Sequence, residues 1–178
     1  VIARVTDGSH PIGRGIGPAL EVRDVYKVLQ NASDAPKDLR EKALGFAASI
    51  LEWDPNIPRG QGRKTANSIL QSGQALSSLE RIIDAQGRKE IPDSPGNLVY
   101  EVKAPHSGNI SNIDSYRVSG IARRAGAPMD KSSGIDLSIK LGQEVKAGDN
   151  LYFIHSNVES ELYIASASAD RDSGIKID

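Results

Sequence analysis

Thr6-Asp7-Gly8-Ser9-His10-Pro11-Ile12-Gly13-Arg14-Gly15-Ile16-Gly17-Pro18-Ala19-Leu20-Glu21 carries the chain from the end of an apolar segment, through a glycine- and proline-rich loop, into a helix. Val1–Thr6 reads as a strand, with Asp7-Gly8 as its turn. Pro18 suits the first turn of a helix, where its missing N–H leaves no bond unmade. A lone strand needs partners, and residue 1 is Val rather than Met. The expectation is a piece of a longer polypeptide, cut inside a domain whose other strands lie upstream.

From Pro18 onward the apolar spacing is helical. Ala19, Val22, Val25, Tyr26 and Leu29 predict a helix to about Asn31. Pro36 opens a second, with Leu39, Ala43, Phe46, Ala47, Ile50 and Leu51 as its apolar face and Pro55 and Pro58 beyond its end. Ala66, Ile69 and Leu70 mark a third, ended by Gly73. Ala75, Leu76, Leu79, Ile82 and Ile83 mark a fourth, ended by Gly87. Residues 88–97 are polar, hold two prolines and read as a linker.

After residue 97 the period changes to two. Leu98, Tyr100 and Val102 alternate with Val99, Glu101 and Lys103; Ile135, Leu137 and Ile139 alternate with Asp136, Ser138 and Lys140. Ile110 and Ile113, Leu151–His155 and Leu162–Ala165 add further strands, and Tyr116–Ala125 is helix-like. The predicted class is α+β. Residues 1–87 supply one strand and four helices, residues 88–97 the linker, and residues 98–178 a β-rich domain with one inserted helix.

Composition narrows the function classes. The chain of 178 residues has a net charge of −1, with 38% hydrophobic and 25% charged residues, as expected of a folded globular protein. Without a basic field, and with aromatics at 4%, nucleic acid is not an expected partner. No apolar run has the length of a membrane span, and no cysteine is present to form a disulfide, a nucleophile or a zinc ribbon. A cytoplasmic setting is expected.

Motifs of familiar chemistry are sparse. The Gly13–Gly17 loop enters a helix, where backbone N–H groups can hold an anion. It lacks the Lys-Ser/Thr of a Walker loop and the G-x-G-x-x-G spacing, so tight packing is the favoured reading. His10, His106 and His155 are scattered without metal-ligand spacing. Arg117, Arg123, Arg124 and Lys131 form a modest basic cluster that reads as solvated helix charge. The stretch Lys140–Leu151, taken with Ala104-Pro105-His106-Ser107-Gly108, resembles the barrel-sandwich scaffold of biotinyl and lipoyl carriers. The segment His155–Glu161, where a carrier would place its modified lysine on a hairpin tip, has no lysine.

Thr6–Glu21 as a whole resembles the strand-to-helix segment of the thymidine phosphorylase/AMP phosphorylase family. Ser72-Gly73-Gln74-Ala75-Leu76, Ala85-Gln86-Gly87, Ala104–Gly108, Ile121-Ala122-Arg123-Arg124-Ala125-Gly126-Ala127-Pro128 and Lys140–Leu151 match that family too. Gly17-Pro18-Ala19-Leu20-Glu21, with Gly-Ser before His10-Pro11, is similar to the archaeal AMP phosphorylases in particular. The resemblance implies that residues 1–87 complete an α/β catalytic domain and that residues 98–178 form the hammerhead-like C-terminal domain. It implies phosphate-dependent cleavage of an N-glycosidic bond: AMP and phosphate to adenine and ribose 1,5-bisphosphate, or, alternatively, phosphorolysis of thymidine or another pyrimidine nucleoside. A non-catalytic oligomerisation or carrier-like domain is the remaining alternative. Inorganic phosphate is the implied co-substrate, no cofactor is required, and a homodimer or larger assembly is expected. The family's catalytic and substrate-binding segments precede this stretch, so no catalytic or substrate-binding residue is assigned and the chain alone is expected to be inactive. A partial monovalent-cation site carries over, using the backbone carbonyls of Ile12 and Gly15 and the carboxylate of Asp24; the competing reading of Asp24 is an exposed helix residue.

Overall fold

The computed structural model of the chain describes residues 3, 5–89 and 94–178. They form an α+β structure with six helices and two small antiparallel sheets. The chain divides into two compact units, Val22–Glu90 and, discontinuously, Val1–Glu21 with Ile91–Asp178. None of the described helices is long and apolar enough to cross a membrane.

The helical unit contains α1 (Pro18–Leu29) from Val22 on, α2 (Lys37–Leu51), α3 (Gly62–Gln71) and α4 (Gln74–Ala85). The four helices stand where the apolar spacing predicts them. Asn31 takes φ 54° just past α1 and its side-chain amide donates to the Leu70 carbonyl at 3.0 Å, so one residue both ends α1 and caps α3. Pro36 precedes α2 in extended conformation. The core is small: Val28, Ala35, Leu44, Ala66 and Leu70 are buried, flanked by Leu29, Leu39, Ala47 and Leu51. The expected faces of α2 and α4 are less covered than their spacing implies. Phe46 and Ile50 of α2 are 43% and 57% exposed, and α4 has no fully buried residue. On α1 the buried positions are Leu20, Asp24 and Val28, one helical turn apart, rather than the Val22 and Val25 of the expected face.

In the other unit, β1 (Gly15–Ile16), β4 (Gly134–Leu137), β6 (Asn150–Ser156) and β2 (Leu98–Lys103) form a four-stranded sheet in the order β1-β4-β6-β2. The strands β5 (Glu144–Val145), β3 (Gly108–Ile113) and β7 (Ile175–Ile177) form a second, ordered β5-β3-β7. Helices α5 (Ser115–Arg124) and α6 (Glu159–Arg171) pack with them. The core joins Val102, Ile110, Ile113, Val118, Ile121, Ile135, Leu137, Leu151, Tyr152, Ile154, Ala165 and Ala169. The period-two alternation is accurate: Ile135, Leu137 and Ile139 are buried, and Glu101 and Lys103 face out. Asp114 caps α5, its carboxylate accepting from the N–H groups of Tyr116 at 2.9 Å and Arg117 at 3.0 Å.

Three expectations are corrected. The expected strand Leu162–Ala165 lies inside α6, whose first turn carries Glu159 and Glu161 and whose core face is Ala165 and Ala169, four residues apart. Residues 1–87 are not one unit, because β1 pairs antiparallel with β4 through Gly15–Asp136 and Ile16–Ile135. The linker is shorter than 88–97 at its far end: Gly96 donates to the Ser132 carbonyl at 2.8 Å and Asn97 to the Asn157 side chain at 3.2 Å. Of the expected strand Val1–Thr6, residues 1, 2 and 4 lie outside the described residues; Ala3, Val5 and Thr6 are not in a strand.

Candidate functional site

The glycine loop is shaped by packing. A Cβ on Gly15 would stand 2.4 Å from the Leu20 carbonyl carbon, and one on Gly17 2.4 Å from the Ser133 oxygen. Gly17 also has φ 130°, which side chains disfavour. Glycine is therefore required at both positions by the backbone that lies against them, in keeping with the tight packing expected of the loop. The Gly17 N–H donates to the Glu21 carboxylate at 3.0 Å, which satisfies a donor at the start of α1. The Arg14 carbonyl accepts from the Leu137 N–H at 2.9 Å. The alternation of an antiparallel ladder then turns the Gly15 peptide groups away from β4.

Of the expected cation set, Ile12 and Gly15 lie in the β-rich unit and Asp24 in the helical unit. Ile12 is 39% exposed and Gly15 is buried. Asp24 is only 2% exposed, which overturns the reading of a surface aspartate; its carboxylate pairs with the Arg23 guanidinium at 3.1 Å. Among the described residues, no group of three or more His, Asp or Glu is arranged to hold a metal ion.

The histidines are structural in their contacts. Nδ1 of His10 donates to the Ile113 carbonyl at 3.2 Å, Nδ1 of His106 to Ser107 at 3.2 Å, and Nδ1 of His155 to Gly96 at 3.3 Å. A carbonyl can only accept, so each contact fixes the proton on Nδ1. The carrier-like alternative lacks its attachment point at the same place. Strand β6 ends at Ser156 and α6 begins at Glu159, so His155–Glu161 leads into a helix and presents no hairpin tip.

Two further clusters stand out, the first unread in the sequence and the second built on the basic cluster named there. Asp130 organises the first: Oδ1 accepts from the Ser132 N–H at 3.0 Å and hydroxyl at 2.7 Å, Oδ2 from the Ser133 hydroxyl at 2.7 Å and the Asn157 amide at 3.1 Å. Desolvation acts to raise its pKa, but the donors from Ser132, Ser133 and Asn157 outweigh it and hold the carboxyl below its ordinary range. The Asp-x-Ser-Ser run is a local turn signal; the distant partner Asn157 is what sequence spacing could not supply. The second cluster is a groove of about 450 Å³ between α5 and α6, lined by Tyr116, Arg117, Gly120, Arg123, Arg124 and, from the other side, Ser168 and Asp172. Lys131, expected with these arginines, instead donates to the Pro128 carbonyl at 3.0 Å.

Residues 109–176 match the family described as the pyrimidine nucleoside phosphorylase C-terminal domain. The chain is 52% identical over 164 residues, 92% of its length, to a "Bifunctional ribose 1,5-bisphosphokinase-thymidine phosphorylase" of Azorhizobium caulinodans, of which it covers 24%. Two proteins described as "Putative thymidine phosphorylase" are similarly related. That of Methylococcus capsulatus is 47% identical over 98% of this chain, and that of Bradyrhizobium diazoefficiens 45% over 97%; the chain covers 34% of each. The chain thus spans 24% to 34% of the length of these relatives.

Proposed function

The chain belongs to the thymidine and pyrimidine-nucleoside phosphorylase family, and from that membership we propose that it forms part of a pentosyltransferase that cleaves thymidine with inorganic phosphate. In this reaction the bond between C1′ and the base nitrogen breaks and a bond from C1′ to a phosphate oxygen forms. The base leaves with the electron pair and takes up a proton. Positive charge grows on the sugar and negative charge on the base, so the site must hold phosphate against C1′ and stabilise the departing base.

The observation that carries this reading is the similarity, across nearly the whole chain, to relatives whose names state thymidine phosphorylase. Those names favour thymidine over AMP. The Gly17-Pro18-Ala19-Leu20-Glu21 form keeps AMP as the second reading. The chain covers only part of these relatives, and in this proposal the chemistry belongs to polypeptide outside these 178 residues. In this proposal the working enzyme is a cytoplasmic homodimer or larger assembly, with phosphate as co-substrate and no resident cofactor.

The test compares phosphate-dependent release of thymine from thymidine with release of adenine from AMP. A polypeptide that extends this chain to the length of its relatives is expected to favour thymidine, and the 178-residue chain alone to release neither base. A clear preference for AMP refutes the substrate; turnover by the 178-residue chain refutes the placement of the chemistry.

A further inference from the structure

We propose that the groove between α5 and α6 is a binding site for a phosphate monoester, independent of the glycosyl-transfer reading above. Arg117, Arg123 and Arg124 bring three guanidiniums to it, and Asp172 one carboxylate. That carboxylate is committed to Arg117 through an Nε–Oδ2 ion pair of 3.0 Å. Arg123 and Arg124 have no carboxylate partner among the described residues. The groove is thus left with two unmatched positive charges, the complement of the nearly two negative charges of a phosphate monoester near neutral pH.

Basic residues in the last turn of a helix ordinarily answer the helix macrodipole. That dipole amounts to roughly half a charge and does not use two guanidiniums in addition to the paired one. Gly120 gives a second indication. It lies inside α5, where glycine costs about 1 kcal/mol relative to alanine. No tight contact demands it, because a Cβ there would meet only the Arg124 Nη1 atom, at 3.3 Å and at the end of a flexible side chain. Gly120 instead deepens the groove and lets Arg124 fold back over the helix, where Nη1 donates to the Gly120 carbonyl at 2.9 Å. A guanidinium held this way retains other N–H groups for bidentate bonds to phosphate oxygens. On the rim, Tyr116 is 83% exposed and offers a ring face and a hydroxyl to the body of the ligand. The groove's volume, about 450 Å³, suits a small molecule rather than a nucleic-acid strand.

Isothermal titration calorimetry of the 178-residue chain at low ionic strength, with ribose 5-phosphate, ribose and inorganic phosphate as probes, tests the site. Saturable binding of ribose 5-phosphate but not ribose is expected. Weaker binding of inorganic phosphate than of ribose 5-phosphate supports the ester, and equal or tighter binding of inorganic phosphate overturns it in favour of the free anion. Arg123→Gln with Arg124→Gln should weaken binding by about tenfold or more with thermal unfolding unchanged. Gly120→Leu, which favours the helix while filling the groove, should weaken it similarly. No saturable binding of either phosphate probe, or undiminished affinity in both variants, overturns the proposal.

Discussion

At the residue scale, Asp130 shows how one carboxylate fixes a turn to a distant strand end. It gathers the Ser132 and Ser133 hydroxyls within its own loop and the Asn157 amide just after β6. Because its pKa lies below the ordinary 3.8 in the folded chain, the unfolded state takes up the proton first as pH falls. The stabilisation is therefore complete above the unfolded pKa and is lost as pH drops through the folded one. Asp130→Asn should lower stability at pH 7 by about 1–2 kcal/mol and flatten the loss between about pH 5 and pH 3. Urea unfolding at a series of pH values checks this; parallel curves for the two proteins would show that Asp130 is not the source. Gly15 and Gly17 were legible in the sequence, because closely spaced glycines entering a helix point to backbone packed too tightly for side chains. Asp24 was not, because a carboxylate on a helix looks the same in sequence whether it is buried or exposed.

At the element scale, periodicity carried the reading where one face was consistently apolar. Strands β2 and β4 and the helices α1 to α5 follow from it. Helix α6 did not, because Leu162-Tyr163-Ile164 has strong strand preference and its side chains do not mark one face: Tyr163 and Ile164 are 75% and 54% exposed. The helix is anchored instead by small residues, with Ala165 at 0% and Ala169 at 2% exposure. Alanine is a weak hydrophobic signal in sequence, yet it allows close approach of α6 to its neighbours. Ala165→Leu should therefore destabilise the fold by about 1–3 kcal/mol through overpacking, although leucine favours helices nearly as well as alanine. Denaturant unfolding measures the difference, and an unchanged midpoint would mean that the face has room to spare.

At the scale of the whole molecule, the change of period near residue 97 located two structural regimes, but not their membership. Sequence order puts residues 13–17 with the helices; hydrogen bonding puts them beside β4. Long-range strand pairing of this kind leaves no local trace, since a two-residue strand has no measurable alternation. The identity of the family was legible because motifs recur in register along the chain, whereas the catalytic residues are not legible in a stretch that spans about a third of its relatives.

The pairing of β1 with β4 has a practical consequence for anyone cutting this protein at the obvious place. A product comprising residues 94–178 keeps β4 but discards its outer neighbour, so the peptide groups that bond Arg14 and Ile16 would face water as an open template. Such a product should recruit other copies strand to strand and sediment as oligomers, while a version tethering residues 13–17 back through a flexible connection should run as a smaller species. Equal sedimentation of the two would mean that the sheet tolerates a bare margin.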